Sequence, residues 1–218
     1  MAYATLGGVP ILDARVSLPR VGAWTAELRV DAEEPPAGQQ LLVIGDVPFV
    51  GAVTRGVGYR ANAFVRMVGG VGGLPSQLAA KGYHSSPVMV PLQDIARETG
   101  ETLAPTCDAS VTNVLLGHWA RLEGSGGSAL GRLLSDVPGA VWRFLPGGQL
   151  WVGAESWPAI APEVEITDYQ PLEDCIRLFS HSPSVLPGQL FLGRKTSYVE
   201  HRVSEARVST AVWFEAQA

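Results

Sequence analysis

Between Leu186 and Glu215 the chain alternates apolar and polar residues with hardly a break. Val199, His201 and Val203 interleave with Glu200 and Arg202, and Val208, Thr210, Val212 and Phe214 with Ser209, Ala211 and Trp213. Successive side chains of a strand point to opposite faces, so a period of two describes a half-buried β-hairpin and argues against a helix, whose apolar stripe repeats every three or four residues. The same period marks the other end of the chain. From Ala14 to Asp31 two extended pieces flank Pro19-Arg20-Val21-Gly22, and in the second Trp24, Ala26, Leu28 and Val30 alternate with Thr25, Glu27 and Arg29. Pro35 and Pro36 then forbid a hydrogen-bonded ladder. Gln39 to Gly70 supplies three or four more short strands, punctuated by Gly45-Asp46, Gly56 to Gly58 and Gly69-Gly70. Closely spaced short strands predict a small barrel or sandwich. Farther on, Ile176 and Leu178, then Leu190 and Leu192, alternate about a turn at His181 to Gln189.

The middle changes period. Pro91 to Gly100 places Leu92, Ile95 and Ala96 on one helical face, with Gly100 at the position where a left-handed residue ends a helix. A second helix follows, capped by Ser128, with Ala129, Leu130, Leu133 and Leu134 as its apolar stripe. Val141 to Leu145 and Gln149 to Gly153 then form a hairpin about Pro146-Gly147-Gly148. The fold class is therefore α+β and mainly β, with a small helix-plus-hairpin insert between two β regions. The boundaries are 1–72, 73–160 and 161–218.

With 218 residues the chain can bury a sizeable core without staples. A net charge of −5 argues against wrapping or reading a nucleic acid. Lys81 and Lys195 are the only lysines, so the positive charge is carried by arginine, a residue suited to interfaces. No apolar run approaches the roughly 20 residues that span a bilayer, and Met1 to Gly8 lacks a signal-like start; synthesis in a cytoplasm is expected. Cys107 and Cys175 are predicted to be free thiols.

No group of residues forms a convincing chemical site. His84, His118, His181 and His201 have no metal-ligand spacing, and a Cys107–His118 thiol–imidazole pair lacks an activating helix N-terminus. Glu98 and Glu101 flank Gly100 and Glu155 precedes Trp157; a glycosidase would need two such carboxylates across a groove that Trp142, Trp151 and Trp157 could line. Cross-strand packing of Trp142 on Trp151 explains the tryptophans more simply, and it predicts a cost of about 3–5 kcal/mol for Trp142→Ala. The Gly69 to Gly73 run lacks the lysine of a phosphate loop and reads as a flexible link, and Gly124 to Gly127 reads as a loop. The expectation is no catalytic residue, no cofactor and no metal.

Two stretches carry a resemblance. Glu123 to Gly153, through Ser128, Ala129-Leu130, Leu133, Gly139, Val141, Gly147 and Leu150, resembles a segment of bacteriophage tail hub proteins, the baseplate hubs and late-control-D-like proteins. Pro187-Gly188, Val199-Glu200-His201-Arg202 and Thr210-Ala211-Val212 resemble the last barrel of such hubs. The resemblance implies two tail-tube-like β-barrels and a homotrimer forming a pseudo-six-fold ring. Such a ring would join a tail tube or distal tail protein to a spike or fibre protein in the virion tail tip or baseplate. The resemblance implies no enzymatic activity, and the net charge of −5 would make the lumen of such a ring mildly acidic. Two rivals from other classes are a peptidoglycan- or glycan-cleaving enzyme using Glu155 or Glu98, and a carbohydrate-binding module using Trp24 or Trp213.

Overall fold

The computed structural model describes residues 3–160, 166–170, 174–178, 185–204 and 208–215. The alternating N-terminal segments become strands β1 (Ala4–Leu6), β2 (Val9–Pro19), β3 (Thr25–Val30), β4 (Gln39–Ile44), β5 (Val47–Tyr59) and β6 (Asn62–Gly69). They pair in the order β1-β4-β5-β6-β3-β2, and β2 returns to β1 through Thr5↔Pro10 and Leu6↔Val9, which closes a six-stranded barrel. Gly7 and Gly8, both at positive φ, make the tight turn between β1 and β2 that this closure requires. The inward residues of the alternation fill the barrel: Val16, Trp24, Ala26, Val30, Leu42, Ile44, Phe49 and Met67 are all buried.

The glycines at 56 and 58 do not end a strand as expected. They lie inside β5, where a Cβ on Gly56 would meet Pro35 and one on Gly58 would meet the Glu33 carbonyl at 2.3 Å. They are small because the 31–38 segment packs across them.

The chain then builds the insert: β7 (Gln77–Leu78), β8 (Lys81–Pro87), α1 (Met89–Thr99), α2 (Ala109–Thr112), β9 (Leu115–Arg121), β10 (Gly124–Ser125), α3 (Gly126–Ser135), β11 (Ala140–Phe144) and β12 (Leu150–Ala154). Helix α1 ends at Gly100 with φ 74°, as its sequence predicts. Helix α3 begins earlier than expected: Ser125 is the cap and accepts a hydrogen bond from the Ser128 amide, so Ser128 lies inside the helix. The two helices pack on each other, and Leu92, Ile95, Leu130 and Leu133 are fully buried. The predicted hairpin is β11–β12, but Trp142 pairs with Val152, and Trp151 with Arg143. The two tryptophans therefore face opposite sides of the ribbon. A second ribbon, β8–β9, has no counterpart in the sequence reading.

The C-terminal third adds β13 (Ala159–Ile160), β14 (Ile166–Gln170), β15 (Cys175–Leu178), β16 (Leu190–Phe191), β17 (Arg194–Ser204) and β18 (Val208–Phe214). Strands β17 and β18 form the antiparallel pair their alternation predicts; the turn residues Glu205-Ala206, and His181 to Ser184 of the earlier turn, lie outside the described residues. The 11 residues of β2 serve two partners along one edge, β1 at Val9-Pro10 and β17 from Asp13 to Pro19. One sheet thus runs out of the barrel through β2 into β17-β18-β15-β14. Among the described residues one ring closes, and these four strands continue it as an open sheet.

Candidate functional site: the open sheet face and the barrel–insert junction

The glycine run that leaves the barrel is a fixed joint, not a flexible link. Gly70 and Gly72 adopt φ of 82° and 78°, which turns the amides of Val71 and Gly73 toward one point. Both donate to the carboxylate of buried Glu101, at 2.9 and 2.8 Å. Successive amides turned in this way commonly hold an anion; here the anion is the chain's own side chain, delivered by the helix end at Gly100. A Cβ on Gly70 would stand 2.3 Å from the Glu101 carboxylate, and one on Gly73 would stand 1.7 Å from the Thr99 carbonyl. Other contacts reinforce the joint: the Gly22 amide donates to the Trp142 carbonyl, the Val50 amide to the Pro146 carbonyl, and the Trp24 indole to the Leu145 carbonyl.

The remaining carboxylates are held apart, each by its own guanidinium. Glu155 pairs with Arg143, whose guanidinium also donates to the Arg20 carbonyl and lies 4.5 Å from the Trp151 ring centre. Glu98 pairs with buried Arg121, 2.7 Å away, on β9. The cleft of about 170 Å³ beside Trp151 is lined by Arg143, Pro146, Pro158 and Gln189, and neither glutamate is on its wall. Cys107 donates weakly to the Leu150 carbonyl, and burial pushes its thiol up. It forms no pair with His118, whose ring meets His84 instead. His201 is buried against Phe49 and Thr210, and His181 lies outside the described residues. Trp24 is 1% exposed, so it cannot serve as a glycan platform, whereas Trp213 is half-buried beside Tyr198.

What the outward residues of the alternation build is a broad charged face. One row crosses six strands: Ser209, Arg202, Arg15, Glu27, Arg66 and Arg55. The next row runs Ser204, Asp13, Arg29, Phe64 and Val57. Arg15 directly opposite Arg202 is a like-charge pair, unfavourable by itself. Glu200, only 2% exposed, accepts from both at 2.6 and 2.5 Å and so staples the barrel to the C-terminal sheet. The face includes a groove of about 730 Å³ along Arg15, Glu27, Arg29, Arg55 and Arg66, ending on Val57 and Phe64. Beside it the tip of β5–β6 leaves Val57, Tyr59 and Phe64 more than half exposed. Arginine interleaved with exposed aromatic residues is the composition of a protein–protein interface. Alternation along each strand is legible in the sequence, but this face is not, because only cross-strand register puts these arginines in rows.

No protein-family model matches the sequence, and comparison with curated proteins found no match. Solved structures do share its fold. The 43 kDa tail protein of prophage MuSo2 from Shewanella oneidensis superposes with a TM-score of 0.68 at 7% identity, over 96% of this chain and 95% of that one. The E. coli c3393 protein is a component of the type VI secretion system with structural similarity to the T4 bacteriophage tail proteins gp27 and gp5. It gives 0.68 at 11% identity, over 99% of this chain and 79% of that one. A tail protein from Neisseria meningitidis MC58 gives 0.67 at 13% identity, over 99% and 96%. The barrel, the insert and the open sheet together are thus a fold that this chain shares, nearly end to end, with phage-type tail proteins.

Proposed function

We propose that this protein is a structural component of a phage-type tail, and within it a hub. Three copies form a ring that adapts the tail tube, or a distal tail protein, to the spike or fibre apparatus of the virion. In this reading residues 1–72 and 161–218 are two tube-like β units, each chain contributing both, and 73–160 is the insert that spaces them. The C-terminal sheet becomes a second barrel-like unit when its open edge meets a neighbouring copy, as exposed sheet edges require cover. The chain has no catalytic role of its own.

The observation that carries this reading is the coverage: the likeness to tail proteins spans both β regions and the insert together. The arginine–aromatic face supplies a surface suited to assembly. The test is mass in solution by light scattering across a range of concentrations, alone and with the tail tube protein, followed by electron microscopy. Trimeric rings are expected, and Phe64→Glu, at a 52% exposed position, should shift the mass toward monomer without lowering the melting temperature. A monomer under all conditions, or lysis of peptidoglycan by the purified chain that Glu155→Gln abolishes, would overturn the proposal.

A further inference from the structure

The β8–β9 ribbon carries a pair of exposed histidines outside the core. His84 and His118 stand directly opposite each other in its register, and their Nδ1 atoms are 2.6 Å apart with the rings at 89°. Both imidazoles are exposed. An exposed imidazole is satisfied by water and gains little from turning a ring nitrogen onto a second imidazole. Two nitrogens of the same kind that converge in this way share either a proton or a cation.

The surroundings favour the cation. Beneath the pair, the neighbouring position is locked: Tyr83 pairs with Trp119, both are buried, and their rings are 5.5 Å apart. The two backbones that present the histidines are therefore fixed, and the chelate is preorganised. Above the pair the face is bare. Gly82 and Ala120, the next pair along the same face, leave it open: a Cβ on Gly82 would meet nothing within 4 Å, and Ala120 is exposed. That open space leaves coordination positions for water or for a side chain of a partner. A tetrahedral ion bound at about 2.0–2.1 Å to each nitrogen would hold them about 3.3 Å apart, a displacement that a small rotation of either ring supplies.

We propose that His84 and His118 form a two-histidine site for a divalent transition metal on the exposed face of the ribbon. Two imidazoles with open positions suit copper, nickel or zinc, the late first-row ions that nitrogen ligands hold most tightly. The ion braces β8 to β9 on the side away from the core. The site stands independently of the tail-hub reading.

The test uses the full chain without an affinity tag, titrated calorimetrically with Ni²⁺ and Cu²⁺, and melted with and without Ni²⁺. One ion per chain is expected, with a rise in melting temperature on adding metal. His84→Ala and His118→Ala should each abolish both signals while leaving the metal-free melting temperature unchanged, because the side chains are exposed. If either variant melts early, His84→Gln and His118→Gln repeat the comparison. Heat of binding that is the same in wild type and in the double variant would overturn the proposal, and so would no binding at all, which would leave a shared proton as the reason for the contact.

Discussion

The N-terminal six strands and the C-terminal four are written in the same alternating pattern, yet only the first set closes. Closure turns on β1, a strand of three residues, which bridges β4 and the start of β2. The rest of that edge of β2, from Asp13 to Pro19, is paired by β17, so the closed ring is covered there by the C-terminal sheet. The C-terminal sheet shares the long strand β2 on one side but ends on β14, four of whose five residues are exposed and which has no outer partner among the described residues. An unpaired edge invites another chain. One pattern thus yields a closed ring and, among the described residues, an open sheet, and the two join at the β2–β17 seam.

The largest effect is expected inside the barrel. Trp24 is fully buried, packs edge-on to Phe49 at 5.7 Å, and reaches the insert through the Leu145 carbonyl. Trp24→Ala should cost about 4 kcal/mol, the loss expected when a buried aromatic leaves a cavity, measured by urea denaturation. A loss below 1 kcal/mol would mean that the barrel core does not govern folding of the chain. The seam comes next. Glu200→Ala removes two charge-assisted hydrogen bonds and leaves Arg15 facing Arg202 with no anion between them; both arginine side chains are more than half exposed, so water screens part of the loss, and the cost should be about 2 kcal/mol. Adding Arg202→Ala should recover part of that loss, since the like-charge contact then disappears. A double variant less stable than Glu200→Ala would show that the seam is not organised around this carboxylate.

These two regions also differ in how much of them the sequence discloses. Alternation in Thr25 to Val30 and in Val199 to Phe214 is enough to read β3, β17 and β18, and Gly100 is enough to end α1. Ring closure is not legible, since the three residues of β1 are too few to show a period. The β8–β9 ribbon is hidden because Gly82, Ser85 and Gly117 interrupt its alternation, and Ser85 sits at φ 44°. Glu101 gives no local hint that it will anchor Val71 and Gly73, about 30 residues earlier in the chain. His84 and His118 are 34 residues apart and meet only through strand register. The same register puts Trp142 and Trp151 on opposite faces, a difference of one residue that no composition reveals.

The insert offers smaller effects that sharpen the contrast with the barrel. Trp142 is half-buried, lying edge-on to Phe144 at 6.4 Å and lining the groove of about 660 Å³ between β6 and α3. Trp142→Ala should therefore cost about 2 kcal/mol, roughly half the value for a fully buried aromatic. An effect equal to that of Trp24→Ala would mean that the groove is closed in solution.

The least of the four is a pH effect at Asp94. Its carboxylate is bonded first of all by the Lys81 ammonium and then by the Tyr83 hydroxyl and Arg97, and these contacts hold its pKa below the ordinary 3.8. A carboxyl whose folded pKa is depressed adds stability that is fully present above its unfolded pKa and is lost as pH falls through the folded value. Lys81 and Arg97 are largely exposed, so water screens the pairs, and Asp94→Asn should cost under about 1 kcal/mol at neutral pH. The difference between variant and wild type should shrink as pH drops below 3.8 and vanish once the wild-type carboxyl is protonated. The same cluster raises the Tyr83 hydroxyl to about 12, through burial first and then the bond to Asp94. A spectrophotometric titration should accordingly show Tyr83 ionising late, and Asp94→Asn should bring it earlier. A stability gap that stayed constant from neutral to acid pH would assign the cost of Asp94→Asn to lost packing and not to the ion pairs.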